Sequence, residues 1–221
     1  MQHTVDILGI TIAEPTTMVT DFAITIVALW LGARLGRSGP RRTAQRLWAA
    51  GFVLIGLGAL LGGISHGFAR YLGETQYFWI WKATVYSVGL SMLFAVAGTI
   101  AGTRLRYGTR TLLHVLNAAA FLVYAYWMIA HSDFVYVIYH YVPAMISIAL
   151  IQAIASRGRA ESARWLIGGV LVTLAGAAIQ QSGFTIHRHF NNNDLYHVIQ
   201  IVGLYLLYRG ARLLGRSDGF E

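Results

Sequence analysis

Apolar residues along this chain come in seven long runs, at roughly 16–36, 45–67, 77–102, 110–130, 133–155, 162–185 and 193–214. Each matches or exceeds the ~20 residues that a helix needs to cross a hydrocarbon core. The links between them are short, and no low-complexity tract separates them. In lipid, only helices and closed barrels satisfy every backbone group, and these runs are too long and continuous for barrel strands. The pattern predicts an all-α, seven-transmembrane-helix bundle forming a single domain over 1–221.

Composition agrees. Of 221 residues, 56% are hydrophobic and 12% charged, and mean hydropathy is +0.55, whereas a soluble domain is about 25% charged. No cysteine is present, so disulfide and thiol chemistry are excluded. The N-terminus lacks a basic start and a small-residue cleavage site, so no signal peptide is expected.

The net charge of +8 changes the picture through its placement. Arginines crowd the loop after the first helix (Arg34, Arg37, Arg41, Arg42, Arg46), the loop after the third (Arg104, Arg106, Arg110), the loop after the fifth (Arg157, Arg159, Arg164) and the C-terminal end (Arg209, Arg212, Arg216). The other side has Arg70 and Arg188. Positive-inside bias then places the N-terminus outside and the C-terminus in the cytoplasm. The expected location is multi-pass in a bacterial inner (plasma) membrane. No basic stripe with interleaved aromatics suggests nucleic acid.

With that topology, polar residues gather in the outer half. Every histidine but His114 falls there: His3, His66, His131, His140, His187, His189 and His197. So do Glu14, Asp21, Ser65, Lys82, Asp133, Gln180, Gln181, Asn193 and Asp194. Intramembrane ionisable groups usually face the bundle interior and mark a site. In the stretch FNNNDLYHVIQ, the polar start suits an N-cap. Asn193, His197 and Gln200 then share one helical face. His66, His140 and His197, from three helices, are placed to converge on a cation; the plain alternative for each is a hydrogen bond between helices. Asp21 reads either as a helix-dipole partner or as a carboxylate that anchors a cation or holds Lys82. Lys82, the single lysine, either snorkels outward from the aromatic belt of Trp79 and Trp81 or pairs with Asp21 or Glu14. Gly58, Gly62, Gly168, Gly169 and Gly176 mark expected close helix packing. P-loop, GxSxG and HExxH motifs are absent.

A histidine ending helix 2 (His66) and another opening helix 7 (His197), in a seven-helix chain with an outside N-terminus, resemble the alkaline ceramidase and adiponectin-receptor superfamily of membrane hydrolases. That family's pattern is Ser-x3-His in helix 2, Asp in helix 3 and His-x3-His in helix 7. Here Gly62 stands at the serine's place with Ser65 beside His66, Asn193 stands at the first helix 7 histidine, and helix 3 has no Asp. The resemblance implies a zinc held by His66 and His197, its shell completed by Asn193 or His140, then His187. Zinc-activated water would cleave a lipid amide, with Ser65 or Lys82 stabilising the oxyanion. The alternative is a non-enzymatic lipid- or ligand-binding protein, or an accessory subunit with a membrane-protein partner. A transporter or proton relay is disfavoured because the halves show no repeated pattern.

Overall fold

A computed structural model of the chain describes residues 4–37, 43–155, 160–187 and 189–215. His3, Arg41, Arg42, Arg157, Arg159, Arg188 and Arg216 lie outside the described residues. Seven α-helices form: α1 (Pro15–Gly36), α2 (Thr43–Phe68), α3 (Glu74–Ala101), α4 (Tyr107–Ala130), α5 (Phe134–Ala155), α6 (Glu161–Ser182) and α7 (Asn192–Leu213). Pro15 opens α1, where its missing N–H costs no helical bond. Gly183, in the left-handed region at φ 70°, ends α6 three residues before the hydrophobic pattern does. The all-α expectation thus holds. One element lies outside it: an N-terminal hairpin of β1 (Val5–Ile7) and β2 (Ile10–Ile12).

By length and apolarity, α1 to α6 fit membrane spans, as expected of a multi-pass membrane protein. α7 falls outside that set, because its first turns carry Asn, Asp, His and Gln. Those residues are not wetted: Asp194, His197 and Gln200 are all buried.

Neighbouring pairs run α1–α2, α2–α3, α3–α5, α5–α6, α6–α7 and α7–α1, which closes a ring of six helices. α4 stands outside the ring against α3 and α5. Where ring helices touch, glycine lets backbones approach. A Cβ on Gly51 would lie 3.1 Å from the Ser91 carbonyl of α3, and one on Gly169 would lie 2.9 Å from the Leu207 amide of α7. Gly168 faces open space, so the paired glycines of α6 differ in role.

α4 is held differently. Tyr124 and Met128 are its buried side chains; they pack on Val85 and Val88 of α3, with Tyr124 seated on Gly89, and polar bonds to α3 add to that contact. Asn117 Nδ2 donates to Leu93 O (3.0 Å), Tyr124 OH to Val85 O (2.8 Å), and Tyr86 OH returns a bond to Ala125 O (2.9 Å). At the end of α4, Lys82 Nζ donates to the carbonyls of Met128, Ile129 (3.3 Å) and His131 (2.6 Å). These are among the carbonyls that a helix terminus leaves without an amide. The ring's core splits by height. The end where Gln45 bonds the carbonyls of Ala211 (3.3 Å) and Leu214 (2.6 Å) is packed with Leu31, Leu35, Trp48, Phe52 and Ile100. The other end holds the polar residues.

Candidate functional site

The polar end of the ring encloses a cavity of about 230 Å³ to which all six ring helices contribute. Asp21 (α1), His66 (α2), Gln180 (α6), and Asn193, His197 and Gln200 (α7) form its polar wall. Ile24, Ile55, Ala59 and Val88 line its apolar side. None of the lining residues comes from α4, and none is a lysine or arginine.

Local structure sets each side chain. Asn191 caps α7, its Oδ1 accepting from the amides of Asn193 (2.8 Å) and Asp194 (3.2 Å). Asp194 Oδ2 accepts from the Asn191 amide (2.9 Å), completing a capping box. The other Asp194 oxygen accepts from Thr17 Oγ1 (2.8 Å), which fixes the register of α7 against α1. In that register, Asn193 and His197 look into the ring. Gln180 Nε2 donates to Asn193 Oδ1 (2.7 Å), and Asn192 Nδ2 donates to the Gln180 carbonyl (2.5 Å), so α6 is tied to the same cap.

Two imidazole–carboxylate pairs follow. His66 Nδ1 lies 3.0 Å from Glu14 Oε2, each side chain about a quarter exposed (26%). His197 Nε2 lies 3.6 Å from Asp21 Oδ1, both side chains below a tenth exposed (9% and 8%). Thr20 Oγ1 sits 2.8 Å from His197 Nδ1 and 3.0 Å from the Thr17 carbonyl. A hydroxyl has one hydrogen. Given to Thr17, it leaves Thr20 accepting from Nδ1–H, so the Nε2 lone pair faces Asp21. At 3.6 Å the two groups are in ion-pair range but not hydrogen-bonded. Asp21 is also within electrostatic reach of His66, Glu14 and Asp194. Deeper in, Tyr141 OH donates to Gln200 Oε1 (3.4 Å).

The expected site residues divide between three places. His66, His197 and Asn193 meet at the central cavity. His140 lines a separate cavity outside the ring and stacks on Tyr124 (4.5 Å between ring centres, 17° between planes). Ser65 is buried and donates to the Leu61 carbonyl of its own helix (3.0 Å). Lys82 neither snorkels nor pairs with Asp21 or Glu14; it clamps α4. His187 and His189 lie 5.3 Å apart, ring centre to ring centre, in the exposed α6–α7 link.

Among the described residues, no group of three His, Cys, Asp or Glu side chains could hold a metal ion. The rings show why. The central cavity holds two of the three expected imidazoles, and His140 lies at the other cavity. The expected set of His66, His197 and Asn193, with Asn193 Oδ1 accepting from Gln180 Nε2, therefore lacks a third free ligand for a zinc.

A family model matches residues 16–216, from the first turn of α1 to beyond the end of α7. The chain belongs to DUF6962, a family of unknown function. No curated protein and no solved structure matches it. The site of this DUF6962 chain is therefore read from its own residues. Thr17, Thr20 and Tyr141 escape a search for chemistry-bearing residues because each suits a plain transmembrane helix. For Thr17, Thr20 and Asp21 one signal is available: the i, i+3, i+4 spacing in TTMVTD puts them on a common face.

Proposed function

We propose that this DUF6962 chain is an integral membrane protein whose central cavity takes up the amine- or amide-bearing head of a membrane amphiphile. The chain would cross the bilayer with its N-terminus outside, as the arginine placement implies, and the polar end would open to the outer leaflet. One observation carries the reading: a 230 Å³ cavity lined by carboxylate, imidazole and carboxamide groups on one side and aliphatic groups on the other, with no lysine or arginine in its lining. Such a wall offers acceptors to an amine or amide N–H and repels phosphate or carboxylate heads. The volume is below the ~300–1,000 Å³ of drug-sized ligand sites, which suits a head group whose chain stays in lipid.

A second reading, hydrolysis of a lipid amide, is favoured by the Asp21–His197 pair. Thr20 orients the ring, and the pair is placed to accept a proton from water at the bound head. The first test is binding in nanodiscs, by native mass spectrometry, of a long-chain amine, its N-acyl derivative and the fatty acid of equal length. The amine should bind, and Asp21→Asn should weaken it about 10–100-fold, the loss of a hydrogen bond to a charged group. Equal binding of the fatty acid, or an unchanged Asp21→Asn, refutes the head-group reading. Release of free acid from the N-acyl derivative, lost in His197→Gln, would establish hydrolysis. One equivalent of zinc in the purified protein would return the metal reading.

A further inference from the structure

Outside the ring, a second and larger cavity of about 750 Å³ opens between α3, α4 and α5. It shares no lining residue with the central cavity. Its wall is almost wholly aliphatic and aromatic, with Leu113, Leu116, Val123 and Trp127 on α4 and Val96 and Ile100 on α3. The cavity is the gap left where α4 packs on α3 more than on α5.

Two polar features on α5 are out of keeping with that wall. The Nε2 atom of His140 is buried and has no hydrogen-bond partner. Its ring stacks on Tyr124 and meets Phe121 edge-on. Nearby polar groups do not serve it: Asn117, Tyr124 and Ser147 give their hydrogens to the carbonyls of Leu93, Val85 and Pro143. The second feature is Pro143 inside α5. With no N–H, it leaves the carbonyl of Tyr139, four residues back, without its helical donor. Tyr139, His140 and Pro143 all line this cavity. Burying a polar atom without a partner is costly, so a resident that supplies the missing bond is favoured over a purely apolar one.

We propose that the α3–α4–α5 cavity binds a membrane lipid carrying a hydroxyl, with the chain along α4 and the hydroxyl at His140 Nε2. A hydroxyl both donates and accepts, so it fits either imidazole tautomer. A second transmembrane helix fits less well. Its backbone groups are already bonded internally, and helix association favours small residues, whereas α4 presents bulky side chains here. His140 lies six residues into α5, about 9 Å along its axis, a depth at which lipid chains are the abundant solvent.

The test uses the full chain in nanodiscs with two photoactivatable probes, a diazirine-bearing long-chain alcohol and its methyl ether. Peptide mass spectrometry maps the labelling. The alcohol should label the α4 and α5 peptides about 10-fold more than the ether, a ratio matching the ~1.4 kcal/mol of one recovered hydrogen bond. His140→Phe should bring the ratio to one while ether labelling persists, and Ala120→Trp should block both probes. Equal labelling in the native protein overturns the proposal, as does a preference that survives His140→Phe. An intermolecular disulfide formed by Leu116→Cys, together with exclusion of both probes, would show a second copy as the occupant and also overturn it.

Discussion

Replacing Lys82 with methionine separates two roles for the chain's single lysine. The structure ties its ammonium to three carbonyls at the end of α4, and the residue is 5% exposed. Hydrogen bonds to a charged group are worth about 1.5–3 kcal/mol each, but burying the ammonium returns several kcal/mol. Polar contacts between membrane helices average nearer ~0.6 kcal/mol. Three bonds, less desolvation, plus carbonyls left without donors, give a net loss of about 2–3 kcal/mol for Lys82→Met. α4 should feel that loss most, because Tyr124 and Met128 are its buried side chains. Steric-trap unfolding in bicelles measures the total, and hydrogen exchange locates it: amides near Met128 should exchange faster while α1, α2 and α7 are unchanged. Amine binding at the central cavity should persist. A variant within ~0.5 kcal/mol of the native protein that no longer binds amine would refute the clamp and return Lys82 to the site.

Three further outcomes are expected. Gly210→Ala should destabilise by about 1–3 kcal/mol, because its Cβ would lie 2.9 Å from the Leu166 amide, whereas Gly168→Ala, facing open space, should be neutral or stabilising by ~0.5–1 kcal/mol; unfolding of the two variants side by side checks this. Asn191→Ala should cost about 1 kcal/mol by removing the α7 cap, and hydrogen exchange should place the loss in the first turn of α7. Leu8→Asn should strengthen the hairpin by roughly 1 kcal/mol. Leu8 holds φ 52° beside Gly9 at φ 82°, the tight-turn geometry that asparagine accepts, and slower exchange of the hairpin amides is the readout.

What the sequence disclosed depended on whether a residue's role is set by its own helix or by a neighbour. The helices were legible because a span must be apolar over its whole length, whatever it touches. Helix ends were less legible: the apolar pattern runs to 185, past Gly183, whose left-handed backbone ends α6 at Ser182. The gathering of polar groups at one end could also be read, since depth follows from position along a span. Partners could not. Lys82 and Asp21 look like natural ion-pair mates at similar depth, yet Lys82 faces the end of α4 and Asp21 faces the central cavity. His140 shares a depth with His66 and His197 but belongs to α5's outer face. Angular position around a bundle depends on helix order in space, and here α4 sits outside a six-membered ring that the order of spans along the chain does not foretell. The α7 segment escapes the span criterion for a related reason: its polar residues are solvated by Thr17, Thr20, Asp21 and Gln180 on other helices.

The division of the ring into a polar end and a packed end bears on mechanism as much as on location. A conduit needs polar groups, or room for water, along its whole length. At the packed end, Leu31, Leu35, Trp48, Phe52 and Ile100 fill the ring, and Gln45 is committed to the carbonyls that end α7. Gln200 and Tyr141, bonded to each other, form the lowest polar layer of the central cavity. Below them, Trp48, Phe52, Met145, Leu204 and Leu207 close around a void of about 20 Å³, room for about one water molecule. A head group bound as proposed would meet Asp21 and His197 above that floor. The proposed head-group pocket fits such a closed floor, and this packing would have to part for anything to pass through the ring.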